Sequence, residues 1–515
     1  MNIYKPPYSG PDEGRGKINK KNRNESFGVN VALMAGGTTF SGMLVFLAEP
    51  VTSRLFPPEA FGVVSTFYAW ATILGAIACL RYEMAILLPR EEEDAGNILV
   101  LCLFILAATT ILVGAAIFVF GTGILSLMRM ETLWPSCIWL LPAAVFLTGA
   151  DLLLRRWHTR HRRFGSIALS RSMQNIPRVI AEVGGGLAGF TSAVNLAAFR
   201  VIGLIGSPLN LLYNLLRHDL KGVFTRFTKE GMILVARRYI KFPLFESASA
   251  LVLLLSLYSP IILLASFFGP DEAGLFAKAF YLMFMPVLIL GESTSQAFFQ
   301  LSSHRKAAGE DLGPLVEAVL ARIISFGVLP FAVIALAGPE IFGFVLGPWW
   351  AEAGIYARII SPWLFAVLVN NSISTLFGTL EHQGIGLLFN LILMALRLGI
   401  LFAGGIFIMD PFRTTILFSL ASVVIILWMS NYLIRAVGAS CRHLLRHFLK
   451  CLLMAVPTLA VTAWVQWGVK AQSVYVVAAA VISSVPYVIM MIRSDQKLKE
   501  LSGNLLKRMG LDIKV

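Results

Sequence analysis

The sequence has 515 residues, of which 57% are hydrophobic and only 14% are charged, and its formal net charge is +14. Soluble domains carry about 25% charged residues, so this chain has too few charges to cover a water-facing surface of its size. The composition therefore excludes a soluble globular fold. The positive charge requires no nucleic-acid partner, because basic loops beside anionic lipids account for it.

The chain begins with a polar segment, residues 1–27, that is rich in Lys, Arg, Asn, Pro and Gly. This segment is too long and too polar to be the charged start of a cleavable signal peptide. We predict that it is a disordered cytoplasmic tail.

Apolar stretches of about 20 residues follow the tail, which is the length that an α-helix needs to cross the hydrocarbon core of a bilayer. They do not alternate apolar and polar residues as transmembrane β-strands do. The sequence therefore predicts an all-α integral membrane protein with about 14 transmembrane helices. The predicted spans are 28–48, 61–84, 96–120, 134–154, 166–190, 193–214, 243–267, 275–297, 316–337, 355–378, 385–408, 414–436, 450–469 and 474–492.

The distribution of Lys and Arg predicts the orientation of these helices. If the N-terminus is cytoplasmic, about 32 of the 43 Lys and Arg residues fall in cytoplasmic loops and tails, and about 4 fall on the opposite side. This bias obeys the positive-inside rule. An even number of spans returns the chain to the cytoplasm, so both termini are predicted to be cytoplasmic.

Two segments with similar sequences lie six predicted spans apart. In each segment a Pro precedes a Gly by four residues, as Pro58 precedes Gly62 and Pro270 precedes Gly274. One copy would be typical of an ordinary turn, whereas two copies in corresponding places favour a duplication. The segments are LFPPEAFGVVSTFY (55–68) and FFGPDEAGLFAKAFY (267–281).

The duplication predicts two parallel six-helix lobes, related by a pseudo-two-fold axis along the membrane normal, with two further helices at the C-terminus. Ligand sites in such proteins lie between the lobes, near the middle of the membrane. The predicted domains are the tail at 1–27, an N-lobe at 28–214, a basic cytoplasmic linker at 215–242, a C-lobe at 243–436, the last two helices at 450–492 and a cytoplasmic tail at 493–515.

The fifth span carries a polar stripe of Arg171, Asn175, Arg178 and Glu182. Their spacing of i, i+4, i+7 and i+11 places them on one face of a helix. Ionisable residues inside a membrane are costly and usually face a cavity or a partner. Two interpretations remain open: the stripe faces a water-filled cavity, or Arg178 pairs with Glu182 along the helix while Arg171 reaches the cytoplasmic interface.

Other spans also carry ionisable residues. Lys278 and Glu292 share a face of the eighth span, and Arg200 and Arg397 lie deep in the sixth and eleventh. Bases outnumber acids within the spans, so the predicted cavity suits an anionic ligand. The forked guanidinium group of Arg is particularly suited to phosphate. The residues expected to line the cavity on the basic side are Arg178, Arg200, Lys278, Arg397, Arg171 and Asn175.

No sequence motif predicts a cofactor or a catalytic centre. The five cysteines form no CxxC pair, so neither a disulfide framework nor a zinc site is expected, and no nucleotide-binding motif is present. The longest external loop, near 338–354, has about 17 residues and leaves no room for an external catalytic domain. We therefore expect a transporter rather than an enzyme, with no metal and no cofactor.

Five segments follow one another through both predicted lobes: TSRLFPPEAFG (52–62), LRYEMAILLP (80–89), ARRYIKFPLF (236–245), FFGPDEAGLFA (267–277) and GPWWAEAGIYARIISPWLF (347–365). In sequence and order they resemble the polysaccharide transporter family, which includes the Wzx-type O-antigen flippases and whose members have two six-helix lobes around a central cavity. The resemblance implies membership of the multidrug/oligosaccharidyl-lipid/polysaccharide exporter superfamily. The predicted first span has no charge in its interior, unlike that of the peptidoglycan-precursor flippases.

The resemblance implies a flippase that moves an undecaprenyl-diphosphate-linked oligosaccharide across the bacterial cytoplasmic (inner) membrane by alternating access, for O-antigen, capsule or exopolysaccharide assembly. Unaided, the polar head group cannot cross about 30 Å of hydrocarbon, because it would lose its hydrogen bonds. On this interpretation Arg178, Arg200, Lys278 and Arg397 attract the diphosphate, and Glu182 or Glu292 carries the coupling ion, Na⁺ or H⁺. The expected partners are the lipid-linked glycan, membrane lipids and a polymerase or assembly complex.

Three alternatives stay open. A small-molecule or drug exporter of the same superfamily would need acids to dominate its cavity if the substrate were a cation. A membrane glycan polymerase or ligase would normally need a sizeable external loop with catalytic groups. A scaffold that transports nothing would have no use for charges inside the membrane.

Overall fold

The computed structural model of the chain describes residues 41–127, 137–219, 227–469 and 472–494. Within these ranges the secondary structure is helical, with no β-strand. The longer helices are α1 (41–55), α2 (Pro58–Ile77), α3 (Glu92–Leu127), α4 (Leu141–Arg160), α5 (Phe164–Leu187), α6 (Ala193–His218), α7 (Lys229–Arg238), α8 (Ser247–Phe268), α9 (Pro270–Ala307), α10 (Gly313–Leu346), α11 (Ala351–Ile373), α12 (Gln383–Ala403), α13 (Pro411–Ala436), α14 (Cys441–Ala463) and α15 (Ser473–Ser494).

Some of the predicted regions fall outside these ranges. They are the N-terminal tail at 1–27, the start of the first predicted span up to residue 40, the start of the fourth predicted span at 134–136, part of the basic linker at 220–226, and the C-terminal tail from residue 495 onward. The lobe and linker boundaries therefore stay predictions.

Twelve helical stretches in the described part of the chain are long and apolar enough to cross a membrane. Many large apolar side chains point away from the protein; the side chain of Phe118, for example, is 79% exposed. Such a surface suits hydrocarbon rather than water. These observations confirm the prediction of an all-α, multi-pass membrane protein. Helix α5 is not among the twelve, because its charged and polar side chains lower its hydropathy.

The ends of the first two helices differ from the predicted spans. Helix α1 continues to residue 55, beyond the predicted end at 48, so Glu49 lies inside the helix. Helix α2 begins at Pro58 and ends at Ile77, earlier than predicted. It ends there because Leu80 and Arg81 adopt left-handed backbone conformations, which are incompatible with a continuing α-helix.

The helices before residue 220 pack together as one group. Helix α2 packs against α4 and α6, α3 packs against α4, and α5 and α6 form an antiparallel hairpin. Gly203 on α6 allows the close approach of this hairpin, because a Cβ atom at Gly203 would lie 2.6 Å from the Cβ of Arg178. The missing side chain therefore lets α5 place Arg178 and Glu182 directly beside α6.

The helices after residue 246 form a second group around α11. Helix α11 packs against α9, α10 and α13, while α12 packs against α8 and α13. Buried aromatic rings join these helices, and the ring of Phe280 on α9 stacks on that of Trp363 on α11 with centroids 5.7 Å apart. The last two helices, α14 and α15, pack against α10.

The two groups meet where the repeated segments cross, along α2 and its contacts with α8 and α9. A Cβ atom on Gly62 would lie 1.7 Å from the carbonyl oxygen of Pro270, and one on Gly274 would lie 2.0 Å from that of Pro58. Each glycine thus faces the proline of the other segment. Only glycine permits this approach, since any side chain would overlap the opposite backbone.

Further contacts between the groups lie at the same end of the helices. The indole Nε1 of Trp350 donates a hydrogen bond to the carbonyl oxygen of Ser53 (2.7 Å), and Nη2 of Arg54 donates one to that of Phe344 (3.2 Å). We call this end, formed by residues 53–62, 270–274 and 344–350, the closed end.

Candidate functional site

A cavity of about 330 Å³ lies between the two groups of helices. Helices α1, α2, α5, α6, α8 and α9 each contribute residues to it, so we call it the central cavity. Its polar and ionisable lining residues are Glu49, Ser65, Tyr68, Thr72, Arg178, Arg200, Tyr258, Lys278 and Tyr281.

Arg178, Glu182 and Arg200 form one ion network beside the central cavity. The Nε atoms of Arg178 and Arg200 each donate a hydrogen bond to Oε1 of Glu182, at 2.8 and 3.0 Å. Glu182 is only 2% exposed and Arg200 only 8%. The structure thus combines the two interpretations of the polar stripe. Arg178 pairs with Glu182 along α5, and Arg178 also lines the cavity.

Lys278 completes the basic lining from the second group of helices. Its Nζ donates a hydrogen bond to Oε2 of Glu49 at 2.5 Å. The same ammonium group lies 3.5 Å from the ring centroid of Phe61 and 4.8 Å from that of Trp350. Lys278 is therefore stabilised by one carboxylate and by two aromatic faces.

The central cavity carries an excess of positive charge. Three bases, Arg178, Arg200 and Lys278, face two acids, Glu49 and Glu182. The guanidinium group of each arginine keeps donors that Glu182 does not use, because one Nε–H bond occupies only one of five N–H groups. The arrangement can therefore bind an anion with several acceptor oxygens, such as a phosphate group.

Arg171 and Asn175 lie outside the central cavity in this arrangement. The Nδ2 of Asn175 donates to the hydroxyl of Ser41 (2.7 Å), and that hydroxyl donates to the carbonyl oxygen of Arg171 (3.0 Å). Nη1 of Arg171 donates to the side chain of Gln174 (3.3 Å). The two hydrogen bonds of Ser41 join α5 to α1 on the side away from the closed end.

Arg397 also lies away from the central cavity, inside the second group of helices. Its Nε donates to the hydroxyl of Ser422 (2.9 Å), and its Nη1 donates to the hydroxyl of Ser256 (3.1 Å). Its guanidinium carbon lies 4.9 Å from the ring of Trp363 and 5.1 Å from that of Phe418. The structure thus joins α8, α12 and α13 through Arg397 rather than bringing this residue to the other predicted bases.

The remaining predicted acid is Glu292 on α9, whose side chain lies outside the part of the chain that the structure describes. Within that part, no group of three or more His, Cys, Asp or Glu side chains is arranged to hold a metal ion.

Glu49 is a site residue that the sequence analysis does not identify. The first predicted span stops at residue 48, and Pro50 directly follows Glu49. A proline disfavours a continuing helix. Helix α1 accommodates Pro50 and carries Glu49 into the central cavity. The sequence offered one signal: Glu49 is only eight residues before Pro57, where the turn before α2 lies. A first helix that continues to this turn contains Glu49.

Comparisons with known proteins agree with the fold. The chain is similar to a structure of the lipid II flippase MurJ in an inward closed conformation, with a TM-score of 0.70 and 15% identity over 90% of this chain and 99% of that one. It is also similar to an inward-facing multidrug resistance MATE family transporter of the MOP superfamily, with a TM-score of 0.63 and 14% identity over 76% of this chain and 95% of that one. No protein of curated function matches the chain.

A family described as polysaccharide biosynthesis proteins matches residues 51–354, which is more than half of the chain. The match includes most of the segments that carry the resemblance to the polysaccharide transporter family, and it confirms that resemblance. The chain therefore belongs to the polysaccharide biosynthesis protein family, with the fold of the MOP superfamily transporters.

Proposed function

We propose that the protein is a flippase that moves a lipid-linked oligosaccharide through the central cavity, from the inner to the outer leaflet of the bacterial cytoplasmic membrane. The observation that carries this proposal is the convergence of Arg178, Arg200 and Lys278 on one cavity between two groups of helices. The family match supports a role in polysaccharide assembly. The fold shared with a lipid II flippase supports a lipid-linked cargo.

The chemistry of the cavity suits the diphosphate of an undecaprenyl-diphosphate-linked glycan. Its phosphate oxygens can accept the N–H groups that Arg178 and Arg200 do not use for Glu182. A cavity of about 330 Å³ is small beside a whole lipid-linked oligosaccharide. We infer that the cavity widens when cargo enters, and that the lipid tail stays in the bilayer.

Ion coupling in this scheme involves the acids of the network. Glu182 accepts hydrogen bonds from two arginines and therefore has little affinity for a further cation in this arrangement. Once the diphosphate accepts the hydrogen bond of Arg178 or Arg200 in place of Glu182, Glu182 can bind H⁺ or Na⁺. We propose that this exchange links cargo and ion, and Glu292 stays a second predicted acid for the same role.

The positive-inside distribution supports an orientation with both termini in the cytoplasm. In that orientation the closed end, at the C-terminal end of α1, faces the outside. The cavity then receives cargo from the cytoplasmic side, and the closed end has to open to release it. A polymerase or assembly complex stays a predicted partner on the outer side.

The decisive experiment measures flipping of a fluorescent undecaprenyl-diphosphate oligosaccharide in proteoliposomes, with and without a Na⁺ or H⁺ gradient. We expect the wild-type protein to flip this lipid and Arg178→Gln to flip it at least 10-fold more slowly. Arg413→Gln is the matched control, because the Arg413 side chain is 77% exposed and remote from the cavity. Export of a small charged drug without any flipping of lipid-linked glycans would contradict the proposal and favour the exporter alternative.

A further inference from the structure

The ion pair of Glu49 and Lys278 differs from the other ion pairs of the central cavity because it joins the two groups of helices. Glu49 belongs to α1 in the first group, and Lys278 belongs to α9 in the second. Arg178, Glu182 and Arg200, by contrast, all belong to the α5–α6 hairpin. Separating the two groups therefore breaks the Glu49–Lys278 pair but leaves the α5–α6 network intact.

Lys278 has few other partners that could satisfy its charge. Its side chain is 3% exposed, and besides Glu49 its ammonium group contacts the aromatic faces of Phe61 and Trp350. A buried ammonium group without a carboxylate or another anion is costly. An anion with acceptor oxygens is therefore the replacement for Glu49 that best satisfies Lys278 as an ammonium group.

The pair also lies next to the closed end. Phe61, whose ring faces the ammonium group of Lys278, precedes Gly62, which contacts the carbonyl of Pro270. Trp350, the second ring facing Lys278, donates its indole N–H to Ser53 on α1. One of the two rings at the ion pair thus makes a contact of the closed end, and the other directly precedes a residue that does.

We propose that Glu49 is a tethered anion that occupies Lys278 in place of the substrate's diphosphate, and that an arriving diphosphate displaces it and so unlocks the closed end. The proposal rests on the proposed function for the identity of the ligand. A diphosphate carries more negative charge than one carboxylate, and it can reach Arg178 as well as Lys278, since both line the same cavity. The displaced Glu49 is then repelled by the ligand.

This exchange makes opening depend on the charge of the ligand. A neutral sugar satisfies a buried ammonium group less well than a carboxylate does, and a cation is repelled by the excess of bases. A ligand shifts a conformational equilibrium only through different affinities for the two states. Here the diphosphate gains its contact with Lys278 only after the Glu49–Lys278 pair has separated, which provides that difference.

The test measures the width of the closed end by pulsed electron spin resonance. Spin labels are placed at Phe190 and Met409, which are exposed residues in the α5–α6 and α12–α13 connections, in a protein whose five native cysteines are replaced. The probes are undecaprenyl diphosphate, which lacks the glycan, and inorganic pyrophosphate. Glu352→Gln is the matched control, because Glu352 is an exposed glutamate at the start of α11, at the same end.

We expect Glu49→Gln to widen the distance distribution without any ligand and to bind undecaprenyl diphosphate about 10-fold more tightly than the wild type. Lys278→Gln should also widen it without ligand but no longer respond to either probe. The exchange of both residues, Glu49→Lys with Lys278→Glu, should restore the narrow distribution. Glu352→Gln should behave as the wild type does.

Distances and affinities of Glu49→Gln that match those of the wild type would overturn the proposal, and so would an exchanged pair that stays wide. These distances are read without cargo, so they do not depend on the proposed function. If the wild-type protein flips the lipid but Glu49→Gln stays closed, only the proposed displacement of Glu49 by diphosphate is refuted. If Glu49→Gln opens the closed end but the wild-type protein flips no lipid-linked glycan, only the proposed cargo is refuted.

Discussion

Arg200 and Arg397 are both buried arginines on membrane helices, and both lie over aromatic rings. Arg200 shares the carboxylate of Glu182 with Arg178 and borders the central cavity. Arg397 is bound by serine hydroxyl groups, and within the described ranges no carboxylate forms an ion pair with it. A buried base is therefore not by itself a sign of a substrate site; its partners and its access to a cavity separate the two roles.

The largest expected effect separates these roles through transport. Replacing Arg178, Arg200 and Lys278 together by Gln should slow flipping more than 100-fold, because each charge-assisted hydrogen bond to a phosphate contributes about 1.5–3 kcal/mol. Arg397→Gln, by contrast, should leave flipping per folded molecule within about 3-fold. Rates in proteoliposomes, normalised to folded protein, provide the measurement. Equal losses in both proteins would show that Arg397 belongs to the substrate path.

The contact between the two groups of helices can be weakened without changing any charge. Gly62→Ala should lower stability by about 3 kcal/mol, because the new methyl group overlaps the carbonyl of Pro270. Gly184→Ala is the matched control: no heavy atom lies within 4 Å of its new Cβ, and alanine favours a helix. Thermal unfolding in detergent should show a lower midpoint for the first variant only. Equal unfolding midpoints for the two variants would show that the close approach of Gly62 to Pro270 does not require glycine.

Arg397→Gln should in turn reduce stability, by about 1–3 kcal/mol. The shorter side chain leaves hydroxyl groups of α8 and α13 without the donor that now joins them. The unfolding midpoint of Arg397→Gln should therefore fall while its flipping rate is unchanged. Arg200→Gln should instead lose more in flipping rate than in unfolding midpoint. An unchanged midpoint would contradict a bracing role for Arg397.

A third arginine, Arg163, has a carboxylate partner but lies outside the membrane-spanning segments and away from the cavity. Its Nη1 and Nη2 each donate to Asp219 at 2.7 Å, and Trp157 Nε1 donates to the same carboxylate at 2.8 Å. Burial alone would raise the pKa of Asp219, but these hydrogen bonds outweigh burial and hold the pKa below its usual value.

Asp219→Asn should therefore reduce stability at pH 7 by about 1–2 kcal/mol and leave flipping unchanged. An acid whose pKa is lowered on folding stabilises the protein above its unfolded pKa, about 3.9, and this stabilisation is lost as the pH falls through the folded value. The difference between the two proteins should thus disappear in strong acid. Unfolding midpoints between pH 2 and 7 provide the measurement, and a difference that grows as the pH falls would refute the assignment.

The sequence predicts a good part of this site because helical spacing is local information. The interval of four residues between Arg178 and Glu182 predicts their pairing along α5. That Arg200 shares Glu182 depends on how α6 is rotated against α5, which the spacing within either helix does not determine. Arg397 illustrates the same limit: its depth was predictable, but the direction it faces depends on the packing of α8, α12 and α13.

The positions of helix ends are the second feature that the sequence predicts poorly. The hydropathy of residues 28–48 predicts a span but does not predict where its helix ends, because a helix can continue through the interface to the next turn. Glu49 was missed for that reason, although it contributes half of the only ion pair named here that joins the two groups of helices. The two repeated segments, in contrast, were identified from four residues, and the structure places these residues in direct contact.

During synthesis, Gly62 enters the membrane long before Pro270 is made. At about 5–20 residues per second the interval is roughly 10 to 40 s. Throughout that time the backbone at Gly62, near the start of α2, lacks the Pro270 backbone that covers it in the complete chain. A fragment that ends before α9 would lack the backbone that Gly62 approaches in the whole chain. The insertion of α9 therefore completes a contact surface that α2 brings into the membrane much earlier.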